Sequence, residues 1–146
     1  MLAELLKTLL ATNFAYYLKA QYFHWNVEGP DFVQLHEFFA EVYGDAYGAI
    51  DKIAEYVRTL EEYTPGSFER FSELSQIPGQ TKVPRARLML EELGADTEQM
   101  KQLVMQVFEV AQNEGREDIA NFMAERQDAH GKWLWQIKSL LKDQRA

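Results

Sequence analysis

The chain of 146 residues carries 15 Lys and Arg against 23 Asp and Glu, a formal net charge of −8, and no cysteine. Its length suits one domain, residues 1–146, that buries its own core, and the missing cysteines exclude disulfides, thiolate zinc sites and iron–sulfur clusters. Without a basic stripe, the negative charge withholds the phosphate attraction behind nucleic-acid binding and favours cations instead.

The opening MLAELLKTLLATNF sets its apolar residues at helical spacing and interrupts them with Glu4 and Lys7, and no apolar run reaches 18 residues. Neither a signal peptide nor a membrane span is predicted, and a cytoplasmic protein is expected. A first helix is predicted over residues 3–28, with Leu6, Leu10, Phe14 and Tyr17 at helical spacing. Gly29 to Asp31 end it, with Asp31 placed to cap the next helix. The second helix, about 32–60, carries a stripe of Phe32, Leu35, Phe39, Val42, Ala46, Ile50, Ile53, Val57 and Leu60 that reads as core. A break at Tyr63 to Ser67 leads to a short helical segment, Phe68 to Leu74, and then to IPGQTKVP. The third long helix, 84–112, holds Leu88, Leu93, Met100, Leu103, Val107 and Val110, with Gly94 as a weak point. After a turn at NEGRED, the fourth long helix, 117–142, holds Ile119, Phe122, His130, Trp133, Leu134, Ile137 and Leu141; Trp25, Trp133 and Trp135 read as core anchors. The predicted class is all-α: four long helices with a short helix in the long crossover between the second and third, the arrangement of a ferritin-like four-helix bundle.

His24 closes the first helix and His36 opens the second, with Gly29 and Pro30 midway, so antiparallel helices bring the two imidazoles to similar height and predict a pair. Asp51 and Glu55, four apart, share a face of the second helix. Asp51 lies 15 residues beyond His36. That is roughly 22 Å along a helix rising 1.5 Å per residue, so one chain cannot close a site from all four groups. Two copies of the second helix, antiparallel about a two-fold axis, can close two such sites. His36, Ala40, Gly44, Tyr47, Gly48, Asp51 and Glu55 share a sector away from the core stripe, with Gly44 near its midpoint. A glycine in a helix costs about 1 kcal/mol relative to alanine, a cost that close approach of a mate would explain. The alternative is that Asp51 and Glu55 are solvated neighbours of Lys52 and Arg58 and the glycines are merely tolerated. Imidazole mixed with carboxylate suits Fe(II), Zn(II) or Mn(II) and disfavours Ca(II) and Cu(I). His130 reads as a packed structural histidine. Positions three before the histidines are Gln21, Val33 and Gln127, so the Glu-x-x-His pairs of bundle-centred dimetal sites are missing and no metal is expected there.

The run YFHWNVEGPDFVQLHEFFAEVYGDAYGAIDKIAEYVRTLEEYTPGSFERFSEL resembles the Dps miniferritins, the DNA-protection-during-starvation branch of the ferritin superfamily. HWN is followed by GP, a second His stands twelve residues after the first, Asp stands fifteen beyond that within D-x-x-A-E, and PGSF precedes the crossover helix. Weaker similarity continues to AHGKWLW near the end of the chain. The resemblance implies a hollow shell of twelve subunits built from two-fold dimers. In it Fe(II) is oxidised by hydrogen peroxide or dioxygen at inter-subunit ferroxidase sites and stored as ferric mineral, a defence against oxidative stress. His24 and His36 would come from one chain and Asp51 and Glu55 from its mate, with zinc as a competitor for the iron ligands. Ala40 stands four residues after His36, where many members carry a further acid, so the second metal position is expected to be weak, water-filled or rebuilt from Glu37 or Glu41. Tyr56 replaces the arginine common after D-x-x-A-E. A lysine-rich N-terminal extension is absent, and with the charge of −8 DNA binding is not expected. Fe(II) would enter through acidic pores, for which Glu117 and Asp118 are the candidates. The alternatives are a DNA-binding shell with vestigial sites and a zinc-occupied shell with little ferroxidase activity.

Overall fold

Five helices follow one another in the computed structural model, which describes residues 1–143: α1 (Leu2–Asn26), α2 (Phe32–Thr59), α3 (Phe68–Leu74), α4 (Ala86–Asn113) and α5 (Glu117–Leu141). Residues 144–146 of the expected domain lie outside the described residues. No strand occurs among the described residues, and no helix among them is long and apolar enough to cross a membrane.

Local chemistry sets each boundary. α1 stops two residues earlier than expected, where Val27 turns extended while its N–H still bonds Phe23 O at 2.9 Å. Gly29 then takes φ +117°, a conformation that only glycine adopts cheaply. Asp31 occupies the N-cap position of α2 as expected, but its side chain makes no capping bond; its carbonyl accepts from Leu35 N at 3.0 Å instead. Ser67 does cap α3, accepting from Arg70 N at 3.1 Å. α4 begins at Ala86, two residues later than expected, because Arg85 beside Pro84 is still extended. Gly115, at φ +73°, closes α4 with a double carbonyl bond, Gly115 N to Gln112 O and Arg116 N to Ala111 O.

α1 packs on α2, α4 on α5, and α1 on α4, while α3 lies over α1 with Phe71 and Phe68 against Phe14. The core takes Leu6, Leu10 and Phe23 from α1, Phe39, Val42 and Ile53 from α2, Leu93, Met100 and Leu103 from α4, and Ile119, Met123 and Ile137 from α5. Burying each large side chain contributes roughly 1.5–3 kcal/mol. Gly94 is not a weak point: a Cβ there would meet Ile137 Cγ2 at 3.2 Å, so the glycine lets α4 and α5 approach closely. The predicted stripes overreach at the helix ends, where Phe32 and Leu88 are exposed and Leu60 is only half-buried. Two of the three tryptophans are not anchors. Trp133 packs half-buried against the core, whereas Trp25 and Trp135 are 61% and 66% exposed, Trp25 two residues past buried Phe23 and Trp135 one past buried Leu134, so both turn out of the bundle.

Polar groups also cross the interior. Tyr16 Oη meets Thr97 Oγ1 at 2.7 Å and Asn13 donates to Ala46 O at 3.0 Å. The Lys19 ammonium reaches Asp96 at 2.8 Å and Glu92 at 2.9 Å. Burial pushes the Asp96 carboxyl up, with Lys19 opposing.

Candidate metal centre

His24, in the last turn of α1, and His36, in the second turn of α2, lie with ring centroids 3.8 Å apart and planes inclined by 16°. The expected pair therefore forms within one chain. Its hydrogen bonds are reciprocal: His24 Nδ1 lies 2.6 Å from His36 O, and His36 Nδ1 lies 2.7 Å from His24 O. A carbonyl only accepts, so each Nδ1 carries a proton and Nε2 is the nitrogen left to offer a lone pair to a metal. Fixing the tautomer through Nδ1 to a backbone carbonyl is how proteins present imidazole to a metal. His24 O is suited to this because it sits among the last carbonyls of a helix, which have no intrahelical partner.

Aromatic rings enclose the pair. Phe32 stacks on His36 at 4.9 Å, and the Tyr43 ring meets His24 edgewise at 5.2 Å. Tyr43 in turn touches Tyr17, which touches Tyr47. Burial, then the Tyr47 and Tyr43 phenols, push the Tyr17 hydroxyl up. Sequence reasoning missed Phe32 and Tyr43 as neighbours of the site. The available signal was their helical register, four before and seven after His36.

Asp51 and Glu55 sit exposed on α2. Among the described residues no three His, Asp or Glu side chains of one chain converge in a way that could hold a metal ion, so neither carboxylate joins the two histidines here. Gly44 and Gly48 lie on the same exposed face, and a Cβ added at either would meet nothing within 4 Å. Among the described residues nothing explains the two glycines, and none of them covers the face from Gly44 to Glu55.

Glu37 and Glu41 do not turn toward His36. They line a cleft of about 480 Å³ between α2 and α5 with Phe38, Trp135 and Leu140. One and five residues after His36, they stand off its face of the helix. Glu117 and Asp118 open α5, but Asp118 is engaged by Arg116 at 3.0 and 2.7 Å, and that guanidinium holds its carboxyl down at about 2. His130 is fully buried, as a structural histidine should be, 3.5 Å from the Arg126 guanidinium with its Nδ1 unpartnered.

Comparison with known proteins agrees with this architecture. A family model described as a ferritin-like domain matches residues 3–146. A low temperature-induced protein of Nostoc sp. is 32% identical over 143 residues, 97% of this chain and 80% of that protein. DNA protection during starvation protein 2 of Bacillus anthracis is 28% identical over 138 residues, 94% of each chain. Among solved structures, the Dps protein of Vibrio cholerae O1, described as a member of a broad superfamily of ferritin-like diiron-carboxylate proteins, superposes with a TM-score of 0.92. It is 28% identical over 97% of this chain and 89% of that one.

Proposed function

The chain belongs to the ferritin-like family, in its Dps miniferritin branch, and from that premise we propose that it is a ferroxidase that stores iron, closing each site between two chains. The observation that carries this reading is the histidine pair, which offers two Nε2 donors and which, among the described residues, no carboxylate of the same chain joins. A two-fold mate packed on the uncovered Gly44 to Glu55 face would supply the partner's Asp51 and Glu55, and the second site would form in reverse. Such dimers would assemble into the dodecameric shell, in the cytoplasm.

In this reading iron is the substrate. The imidazoles bind Fe(II) as neutral donors, and the carboxylates lower the net charge of the ion and stabilise Fe(III) over Fe(II). Two Fe(II) give up one electron each, and one hydrogen peroxide takes both, consuming two protons and leaving two waters. Ferric iron then collects as mineral inside the shell. Asp118, held by Arg116, has its charge largely neutralised, so of the two proposed pore acids Glu117 would contribute more of the attraction for entering cations.

The test is anaerobic loading with Fe(II), followed separately by peroxide and by air, with ferric absorbance as the readout. Rapid peroxide-dependent oxidation that is lost in a His36→Ala, Asp51→Ala double variant supports the proposal, and unchanged turnover in that variant contradicts it. A zinc-occupied shell is the second reading, favoured by the same donor set, since zinc outranks Fe(II) for such ligands. It predicts zinc binding without ferric absorbance. Net charge −8 weighs against a DNA-binding shell.

A further inference from the structure

We propose that Phe32 and Tyr43 are positioning residues for the imidazole pair, holding both rings at the tilt that metal binding requires; the inference rests on the reading of His24 and His36 as iron ligands. The four rings form one continuous series. Phe32 lies over His36 at 4.9 Å and 25°, His36 over His24 at 3.8 Å and 16°, and Tyr43 meets His24 edge to face at 5.2 Å and 63°. The imidazoles are thus flanked by two aromatic side chains, Phe32 with no donor atom and Tyr43 with its phenol alone.

The hydrogen bonds alone do not do this. A bond from Nδ1 to a carbonyl fixes which nitrogen carries the proton and the direction of one ring atom, but leaves the ring free to rock about the line from Cβ to that bond. The stacked Phe32 ring on His36 and the edge-to-face contact of Tyr43 with His24 remove that freedom, as second-layer packing must if a ligand is to stay within a few tenths of an ångström of its working position.

The placement of Phe32 supports the assignment. It is the first residue of α2 and is 41% exposed, so it contributes little as core. Its N–H bonds Gly29 O at 3.0 Å, and Gly29 adopts the left-handed φ of +117° that makes the turn possible. The turn delivers Phe32 four residues ahead of His36 on the same helix face, the spacing at which two side chains meet. Tyr43, on the same helix, is seven residues beyond His36 and meets the ring arriving from α1. Tyr43 therefore positions the histidine of the neighbouring helix, and Phe32 that of its own.

The experiment uses the assembled protein and Co(II) alone as probe, because its visible bands report ligand geometry without oxidation chemistry. Phe32→Leu keeps an apolar side chain and removes the ring face; it should weaken Co(II) binding about three- to tenfold, shift the visible bands, and raise KM for Fe(II) more than it lowers kcat. Phe32→Tyr restores the face and should return the affinity to that of the parent. Tyr43→Leu should weaken Co(II) binding comparably, and it decides the question if Phe32→Leu fails to assemble. Parent-like Co(II) affinity and spectrum in the assembled leucine variants overturn the proposal. Loss of Co(II) binding in His24→Ala and His36→Ala alongside that result leaves the ligand assignment standing and removes only the positioning role. Parent-like binding in the histidine variants as well removes the ligand assignment itself.

Discussion

Asp45 on α2 and Arg126 on α5 are joined by two parallel hydrogen bonds, 3.0 Å from Nη1 to Oδ1 and 2.7 Å from Nη2 to Oδ2. Trp133 Nε1 adds a third donor to Oδ2 at 3.0 Å. Burial works against the Asp45 carboxylate, but Arg126 and Trp133 outweigh it and hold the group below the usual carboxylate range. The pair clamps the two helices that α1 and α4 do not hold together directly.

Removing Asp45 leaves the Arg126 guanidinium buried without its counter-charge. Asp45→Ala should lower unfolding stability by about 3 kcal/mol, measured by chemical denaturation at a fixed protomer concentration. Asp45→Ala with Arg126→Leu should recover part of the loss. A single variant as stable as the parent would mean that water replaces the pair at no cost.

His130 carries a distinct pH signature. Burial first, then the Arg126 charge, hold its imidazole down to about 3, with Asp45 opposing. In the unfolded chain the same ring protonates near its ordinary value of about 6.5. Its folded value is the lower one, so between about pH 6.5 and 3 the unfolded state binds more protons, and stability falls as pH falls. The slope from this one group is about 1.4 kcal/mol per pH unit. His130→Leu should flatten the stability profile between pH 6 and 4 by that amount, and an unchanged slope would show that the ring is hydrated in the folded protein.

Glu61 follows α2 in the left-handed conformation, φ +65°, with its N–H on Arg58 O and the next N–H on Val57 O. This is the helix-closing geometry that Gly115 provides after α4, here on a residue with a Cβ. Glu61→Gly should stabilise the chain by about 1 kcal/mol, seen as a rise in melting temperature. A fall would mean that the gain in unfolded-state entropy outweighs relief of the strain.

Gly44 tests the proposed dimer separately from its chemistry. A side chain there meets nothing in the single chain, so Gly44→Leu should leave helix content unchanged. It should displace the two-fold mate, however, and reduce the sedimenting mass. Assembly at full size would place the subunit contact elsewhere.

Much of this structure was legible in the sequence because it depends on local periodicity. The 3.6-residue repeat located the four long helices to within two residues at each end, and the GP turn between His24 and His36 fixed their mutual height. The same reasoning failed where side chains answer to distant partners. Asp45 and Arg126 are 81 residues apart, and no spacing announces them. Trp25 and Trp135 were read as core from size alone, although Trp25 stands about 160° around the helix from buried Phe23 and Trp135 about 100° from buried Leu134. Phe32 fell on the extrapolated core stripe, yet it is Leu35 in that first turn of α2 that enters the core, while Phe32 stacks on the histidine ring. The carbonyl partners of the two Nδ1 atoms were invisible because backbone groups carry no sequence signal.

The proposal that two chains share each site is tested most directly by mixing two inactive variants. His36→Ala chains keep their acids, and Asp51→Ala, Glu55→Ala chains keep their histidines. In a mixed dimer one site collects all the substitutions and the other collects none. Co-refolding equal amounts of the two variants should restore peroxide-dependent iron oxidation to about a quarter of the parent level, while each variant alone stays inactive. A mixture as inactive as its components would contradict the shared site.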